Sequence, residues 1–236
     1  MKSLFLSTAL IIALGTVTAN AQEANTLPAR VTDFATSEAA DDHVMGRENA
    51  AITLIMWASV TCPHCGQWFT QEWPTVKTDL VDTGKLRVVF RELRTAPPEL
   101  STTGFQIAEC APTEEYMTII EHQMENQKDI LDAAHIGKGS EIYTEIAKLA
   151  GMETREAIAT CLRNPDILSH IIDNENRARA AGIRTVPAFL INGETYKGAK
   201  DAKSLIALIT DMDEKGLSAL PKDIPVVDAH AGHAHD

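Results

Sequence analysis

Two cysteines, Cys62 and Cys65, are separated by two residues in the segment Cys-Pro-His-Cys. Thiols at this spacing can close a small disulfide ring, or they can bind a metal ion together. A structural zinc site would need two further ligands, usually a second pair of closely spaced cysteines or histidines. Neither Cys110 nor Cys161 has such a neighbour. We therefore predict redox chemistry at Cys62 and Cys65, with no metal ion and no cofactor.

The elements around this segment would place Cys62 at the beginning of a helix. Residues 51–57 form a nearly continuous apolar run, which is typical of a strand buried on both faces. After a short loop, a helix is predicted from Cys62 to about Leu80, with a kink at Pro74 because proline lacks an amide donor. Unpaired amides and the positive end of the helix dipole favour a thiolate at this position.

The two sulfurs should differ in reactivity. His64 can help to stabilise a negative Cys62 sulfur, whereas Cys65, further into the helix, should be more buried and less reactive. If the pKa of Cys62 fell from about 8.5 to about 4, the reduced form would gain roughly 4 kcal/mol at pH 7. That gain would raise the potential of a two-electron couple by on the order of 90 mV. The disulfide form would then be a strong oxidant, because the reduced state is the stabilised one.

A second signal is the dipeptide Val186-Pro187, which opens a predicted strand at 187–192. Proline cannot donate a hydrogen bond to a sheet, so its presence at the start of a strand needs a reason. A cis bond between Val186 and Pro187 would supply one. An ordinary proline at the edge of a strand is the alternative.

The remaining patterns place a block of helices between two groups of strands. Residues 86–93 predict a strand, and the next strand signal comes only at 187–192, followed by a short strand at 195–197 and an amphipathic helix at 202–212. The class is therefore α/β. The predicted organisation is a leader at 1–21, a polar arm at 22–45, one α/β domain in two parts at 46–96 and 183–216, a helical domain inserted at 97–182, and a disordered His-rich tail at 217–236.

The first 21 residues are typical of a secretory signal. Lys2 supplies the positive end, an apolar stretch follows, and Ala19-Asn20-Ala21 offers a cleavage site before Gln22. A membrane anchor is the alternative, but the apolar stretch is short for a span of about 20 residues. We expect a periplasmic protein. The net charge of −12 argues against nucleic acid as a partner, since phosphate binding needs clustered cations.

Taken together, the Cys-Pro-His-Cys segment, the strand before it, the helical insertion and Val-Pro before Ala-Phe-Leu-Ile-Asn-Gly resemble the DsbA-like members of the thioredoxin superfamily. The resemblance covers about residues 46–213 and implies a thioredoxin-like fold with an inserted helical domain. It implies that Cys62 is the exposed nucleophile, that Cys65 is the resolving thiol, and that Pro63 and His64 tune the thiolate. Pro187, in cis, and the backbone of Val186 would accept an extended client; these two residues are the implied substrate-binding residues.

The resemblance further implies a thiol–disulfide oxidoreductase that donates its disulfide to reduced or unfolded exported proteins. A DsbB-like membrane partner that passes electrons to quinone would reoxidise it. An isomerase or reductase on the same scaffold is the nearest alternative. Isomerases of this superfamily typically dimerise through an added amino-terminal region, for which the arm looks too short, so we expect a monomer. A client-binding chaperone is a third reading.

Two further sets of residues remain open. Cys110 and Cys161 could be buried free thiols, but in an oxidising compartment we favour a structural disulfide, which by loop closure would contribute at most roughly 4 kcal/mol. His230, His233 and His235 could bind copper, nickel or zinc weakly, which makes a periplasmic metal-binding protein a rival from another class. The remaining histidines are interpreted as ordinary helix or loop residues; they are His43, His122, His135 and His170.

Overall fold

The computed structural model of the chain describes residues 31–227. The predicted leader, the first part of the arm, and His230, His233 and His235 lie outside the described residues. The elements, in chain order, are α1 (Val31–Thr36), β1 (His43–Met45), β2 (Ile52–Ala58), α2 (Pro63–Gln71), α3 (Trp73–Val76) with a π-helical turn at Lys77–Val81, β3 (Leu86–Glu92), α4 (Pro98–Glu109), a 3₁₀ turn at Thr113–Glu115, α5 (Tyr116–Glu125), α6 (Gln127–His135), α7 (Gly139–Leu149), α8 (Arg155–Leu162), α9 (Pro165–Ala180), β4 (Ala188–Ile191), β5 (Glu194–Tyr196) and α10 (Ala202–Lys215).

The strands form one mixed sheet in the order β1-β3-β2-β4-β5. The central strands β2 and β3 are parallel, with Ile52 opposite Leu86 and Ala58 opposite Glu92. The edge strands on both sides run antiparallel to their neighbours. Because helices cover both faces, β2 and β3 read as almost continuous apolar runs, as expected for central strands of such a sheet. The α/β class is confirmed.

The helix after β2 is divided into shorter pieces, where one kinked helix was predicted. α2 ends at Gln71, and α3 begins at Trp73 with Pro74 in its first turn. Pro74 has no amide hydrogen, so it fits the first turn of a new helix and interrupts the ladder of the preceding one. Large aromatic side chains nevertheless anchor these pieces to the sheet, since Trp68 meets Phe189 edge-on at 5.2 Å between ring centroids.

The prediction of a polar arm with at most a turn of helix is wrong for its last residues. His43–Met45 form β1, which pairs with β3 and becomes the edge of the sheet. A buried ion pair fixes this segment, because the Arg91 guanidinium donates to the Asp42 carboxylate at 2.7 and 2.8 Å and to the Ala35 carbonyl at 2.7 Å. Neither charged side chain of this pair is exposed.

The predicted tail also begins too early. Residues 217–227 lie against the β4–β5 hairpin, where the Val227 amide donates to the Lys197 carbonyl at 2.9 Å and Asn192 donates to the Ser218 carbonyl at 3.2 Å. Ile224 packs against the main core. A packed segment therefore follows α10 where a disordered tail was predicted.

The inserted helices α4 to α9 pack against one another and contact α2 and β3. A disulfide joins Cys110, at the end of α4, to Cys161 in α8, with the two Cα atoms 6.0 Å apart. Cys110 and Cys161 are therefore not free thiols in the structure. None of the helices within residues 31–227 is long and apolar enough to cross a membrane.

Candidate active site

The backbone places Cys62 at the N-cap of α2, directly after the loop that follows β2. Its φ and ψ of −84° and 118° are extended, and its carbonyl accepts the amides of Cys65 and Gly66 at 2.9 and 3.1 Å. Pro63 occupies the first helical position, where its missing amide costs no hydrogen bond. The helix therefore begins at the reactive cysteine, as predicted.

Both active-site sulfurs are thiols in this structure. Cys62 is 7% exposed to solvent and Cys65 is not exposed, so Cys62 is much less exposed than predicted. The cause is the loop before β4, since the Cys62 Sγ donates to the Val186 carbonyl at 3.5 Å. Pro63 and His64 are exposed beside it. Cys62 is still the more accessible of the two sulfurs.

The pKa of the Cys62 thiol is lowered from 9.0 to about 6. The first cause is a hydrogen bond from the Cys65 thiol; the backbone amides of Cys65 and His64 and the His64 charge add to it, against the effect of burial. Burial, together with the neighbouring Cys62, raises the pKa of Cys65 well above its usual range. Cys65 therefore keeps its proton and donates it toward the Cys62 thiolate.

The pKa of Cys62 is higher than the value of about 4 assumed from the sequence. The sequence suggested the helix end as the main cause of the lowered pKa, whereas the largest cause in the structure is the hydrogen bond from the Cys65 thiol. A shift from 9.0 to about 6 stabilises the reduced form at pH 7 by about 1.4 kcal/mol. For a two-electron couple this is about 30 mV, roughly a third of the sequence-based figure. The direction is unchanged, since a more stable thiolate makes the disulfide form more oxidising.

A group of hydroxyls lies behind the two cysteines. The Ser59 amide faces the Cys65 Sγ at 3.5 Å, and the Ser59 hydroxyl accepts from Thr95 at 2.9 Å. The Thr61 and Thr95 hydroxyls lie 2.8 Å apart. Ser59 and Thr61 are almost completely buried. The sequence analysis missed these residues, although the small polar pattern of the loop before Cys62 was a visible signal.

Gln127, at the start of α6, holds the active loop from the side of the insertion. Its Nε2 donates to the carbonyls of Val60 and Cys62 at 2.9 and 3.0 Å. Gly66 faces this amide so closely that an added Cβ would lie 2.7 Å from the Gln127 Oε1. The absence of a side chain at Gly66 therefore provides the space that the Gln127 side chain occupies when it contacts the loop. No sequence signal distinguished Gln127 from the other polar residues of the helical block.

The Val186–Pro187 bond is cis, and both residues are partly buried at the entry to β4. The Val186 carbonyl faces the Cys62 sulfur. The structure thus brings together all six residues named for the site and the client surface, which are Cys62, Pro63, His64, Cys65, Val186 and Pro187. A second cis bond, Ala96–Pro97, precedes α4 and was not anticipated.

A model of the thioredoxin family matches residues 38–211. The chain belongs to the thioredoxin family. The match begins before β1 and ends within α10, so it spans the sheet and the insertion.

Among relatives, a protein of Rickettsia conorii is 29% identical over 154 residues, which are 65% of this chain and 54% of that protein. A Rickettsia prowazekii protein is 26% identical over 182 residues, 75% of this chain and 65% of that protein. Both are named as candidate protein-disulfide oxidoreductases. The chain thus spans between about half and two thirds of the length of these relatives.

Solved structures show the same fold. α-DsbA1 of Wolbachia pipientis matches with a TM-score of 0.67 and 21% identity, over 76% of this chain and 94% of that chain. A structure described as a protein-disulfide isomerase from Novosphingobium aromaticivorans matches with a TM-score of 0.60 and 20% identity, over 73% and 97%. The predicted DsbA-like thioredoxin fold is confirmed.

The structure also brings together His43 and His170, which the sequence analysis interpreted as ordinary helix or loop residues. Their rings lie 5.9 Å apart beside two carboxyl groups, the buried Glu92 and the partly buried Glu109. Burial and the charge of Glu109 raise the pKa of the Glu92 carboxyl. No spacing rule could have found this cluster, because its four members come from four separate elements.

Proposed function

We propose that this thioredoxin-family protein is a thiol–disulfide oxidoreductase that donates its Cys62–Cys65 disulfide to reduced exported proteins. The observation that carries the proposal is the unequal pair of thiols. The pKa of Cys62 is lowered to about 6, whereas that of Cys65 is raised. Cys62 is therefore the better leaving group of the two thiols. A dithiol with a stabilised thiolate is hard to oxidise, so its disulfide form is a strong oxidant of other thiols.

The reaction begins with the Cys62–Cys65 disulfide. A client thiolate attacks the Cys62 sulfur, a client–Cys62 mixed disulfide forms, and Cys65 leaves and takes up a proton. A second client thiolate then attacks the client sulfur of the mixed disulfide and expels the Cys62 thiolate. The client loses two electrons and gains a disulfide, and the active site becomes a dithiol. A membrane partner that passes the electrons to quinone would restore the disulfide.

The cis-proline loop supports a role in client binding. The Val186 carbonyl lies 3.5 Å from the Cys62 Sγ and accepts its S–H only below the Cys62 pKa of about 6. In the disulfide, the thiolate and the mixed disulfide Cys62 carries no proton, so this carbonyl is available for an amide of an extended client chain. Pro63 and His64 form the exposed surface on the other side of the sulfur. The client thus lies between the start of α2 and the entry to β4.

The deciding experiment is the reduction potential of the Cys62/Cys65 couple, equilibrated in glutathione buffers with the Cys110–Cys161 disulfide followed separately. A potential above about −180 mV supports a disulfide donor, and one near about −270 mV contradicts it and favours a reductase. A Cys65→Ser variant whose Cys62 has first been joined to glutathione should form a mixed disulfide with a client that carries a single reduced thiol, with release of glutathione. A Cys62→Ser variant is the matched control and should form none.

We propose a periplasmic location on the leader-like composition of residues 1–21. The expected mature protein begins at Gln22, which mass spectrometry of the protein from a periplasmic extract would show. Recovery of the uncleaved chain in the cytoplasmic fraction would contradict this proposal. Mass in solution tests the expected monomer, since a stable dimer would favour the isomerase alternative.

A further inference from the structure

Four side chains from four elements converge on one point at the edge of the sheet. His43 comes from β1, Glu92 ends β3, Glu109 ends α4, and His170 lies in α9. One nitrogen or oxygen atom of each lies within 4.8 Å of those of the others. The side chains of His43, Glu109 and His170 are between 12 and 15% exposed, and Glu92 is fully buried. The convergence is therefore inside the fold.

The distances approach those of a tetrahedral metal site. Zinc binds imidazole nitrogen and carboxylate oxygen at about 2.0–2.2 Å, which places neighbouring ligand atoms roughly 3.3–3.6 Å apart. The His170 Nε2 lies 3.4 Å from a Glu109 oxygen and 3.8 Å from a Glu92 oxygen. The His43 Nε2 lies 2.8 Å from the same Glu109 oxygen. A bound ion would increase the distance between the His43 Nε2 and the Glu109 oxygen slightly, and it would bring the Glu92 oxygen closer to the His170 Nε2.

The groups behind these four side chains are those that usually orient metal ligands. The His170 Nδ1 faces an Asp41 oxygen at 3.3 Å, and Arg177 holds that carboxylate with two hydrogen bonds of 2.8 and 2.9 Å. A proton on Nδ1 leaves the Nε2 lone pair of His170 facing the cluster, where the Asn174 Nδ2 lies 3.1 Å from it and would give up this contact to an ion. A carboxylate on the outer nitrogen is the common arrangement for a metal-bound histidine, because it fixes both the tautomer and the ring.

The other ligands are oriented as well. Tyr116 donates to one Glu92 oxygen at 2.6 Å, and Asn174 donates to the other. The ring of Tyr116 also stacks on His43, with 3.3 Å between centroids and 2° between planes. These contacts fix the Glu92 carboxylate and the His43 imidazole before any ion arrives. A preformed set of ligands reduces the reorganisation needed for binding.

Charge gives the cluster a reason to bind a cation. Glu109 pairs with His43, whereas the fully buried Glu92 accepts from the uncharged groups of Tyr116 and Asn174, and two neighbouring carboxylates inside a fold favour further positive charge. A divalent ion neutralises both at once. Two imidazoles with two carboxylates suit zinc and similar transition metals better than calcium or magnesium, which prefer oxygen ligands alone.

We propose that His43, Glu92, Glu109 and His170 form a binding site for one divalent transition metal ion of the zinc type. The ion ties β1 and the inserted helices to β3, so it stabilises the folded state by binding to it alone. The site is separate from the active-site cysteines, and its existence does not depend on the proposed redox function.

The test uses the full mature chain with two competing metal sites removed. The Cys62–Cys65 pair is kept oxidised, so its thiols cannot bind zinc, and His230, His233 and His235 are replaced by alanine. After removal of metals with a chelator, Zn²⁺ is titrated by calorimetry, and bound zinc is counted by elemental analysis. We expect one zinc per chain, proton release on binding and a higher melting temperature with zinc.

Variants locate the ion. Glu109→Gln and His170→Gln should each abolish stoichiometric zinc binding, and Asp41→Asn, which changes no ligand, should weaken it by about 10–100-fold. The matched controls Glu125→Gln and His135→Gln lie on exposed positions and should bind zinc as the parent does. Co²⁺ bound to the parent should show the visible absorption of a four-coordinate ion.

Several results would overturn the proposal. One is the absence of stoichiometric zinc in the parent protein, and another is unchanged binding in Glu109→Gln and His170→Gln. Tighter binding of Ca²⁺ or Mg²⁺ than of Zn²⁺ would also exclude the proposed ligand chemistry. Circular dichroism checks that each variant folds. If a ligand variant does not fold, Asp41→Asn decides, and full zinc affinity in that variant rejects the site.

Discussion

The low pKa of Cys62 depends first on a hydrogen bond from the Cys65 thiol, and two substitutions can separate this bond from the other causes. We predict that Cys65→Ala raises the pKa of Cys62, because alanine has no donor. Cys65→Ser should keep it close to that of the reduced parent, because a hydroxyl can donate in place of the thiol. Neither variant can form the active-site disulfide, so the two differ mainly in the presence of a donor.

The magnitude follows from the structure. Lowering the pKa from 9.0 to about 6 corresponds to about 4 kcal/mol between the two protonation states. A hydrogen bond to a charged group contributes roughly 1.5–3 kcal/mol, which is about one to two pKa units. The amides of Cys65 and His64 remain in Cys65→Ala, so its Cys62 pKa should rise by that amount and stay below 9.0.

The assay is the ultraviolet absorbance of the thiolate as a function of pH, together with the rate of alkylation by iodoacetamide. Mass spectrometry checks that Cys62 alone is modified, and the Cys110–Cys161 disulfide must stay intact. The reduced parent and Cys65→Ser should titrate near pH 6, and Cys65→Ala one to two units higher. If Cys65→Ala also titrates near pH 6, the amides and the helix end carry the shift and our assignment of its cause is wrong.

Three further predictions follow from the same geometry. As pH rises, the potential of the Cys62/Cys65 couple should fall by about 59 mV per pH unit below pH 6 and by about 30 mV per pH unit above pH 6. The slope changes because the Cys62 thiolate stabilises the reduced form above the Cys62 pKa, and this stabilisation is lost as pH falls through that pKa. A constant slope from pH 5 to 8 would contradict this prediction. Gln127→Ala should lower the free energy of unfolding in urea by about 1–3 kcal/mol, because the Val60 carbonyl loses its donor while the Cys62 carbonyl keeps the amides of Cys65 and Gly66; an unchanged midpoint would exclude that role. Replacing both Cys110 and Cys161 by serine should lower it by about 2–4 kcal/mol while the Cys62 titration stays in place, and a shifted titration would show that the disulfide acts on the site.

Local patterns predicted much of the active site. The buried strand β2, the cysteine at the start of α2 and the proline at the entry to β4 each depend on residues close in sequence. Such signals are strong because a strand buried on both faces and a proline at a sheet entry restrict the choice of residues. The same reasoning misjudged the exposure of Cys62, because the residue that covers it, Val186, lies far along the chain.

The errors in the fold have a common physical cause. β1 has three residues, too few for a period-two pattern, and its place depends on the buried pair of Arg91 and Asp42. Residues 217–227 carry two prolines and follow the last predicted helix, so disorder was predicted, while bonds from the Val227 amide and the Asn192 side chain hold them against the hairpin. In each case a few long-range contacts determine the conformation of a short segment.

The same dependence on long-range contacts connects the insertion to the chemistry. Gln127 holds the Cys62 carbonyl from α6, and the Cys65 amide that stabilises the Cys62 thiolate donates to that same carbonyl. A displacement of α6 would therefore move the carbonyl, and with it the first turn of α2 whose amides face the sulfur. The Val186 carbonyl reaches the sulfur from the opposite side. The reactivity of Cys62 is thus set where the insertion and the cis-proline loop meet α2, and the two cysteines alone do not determine it.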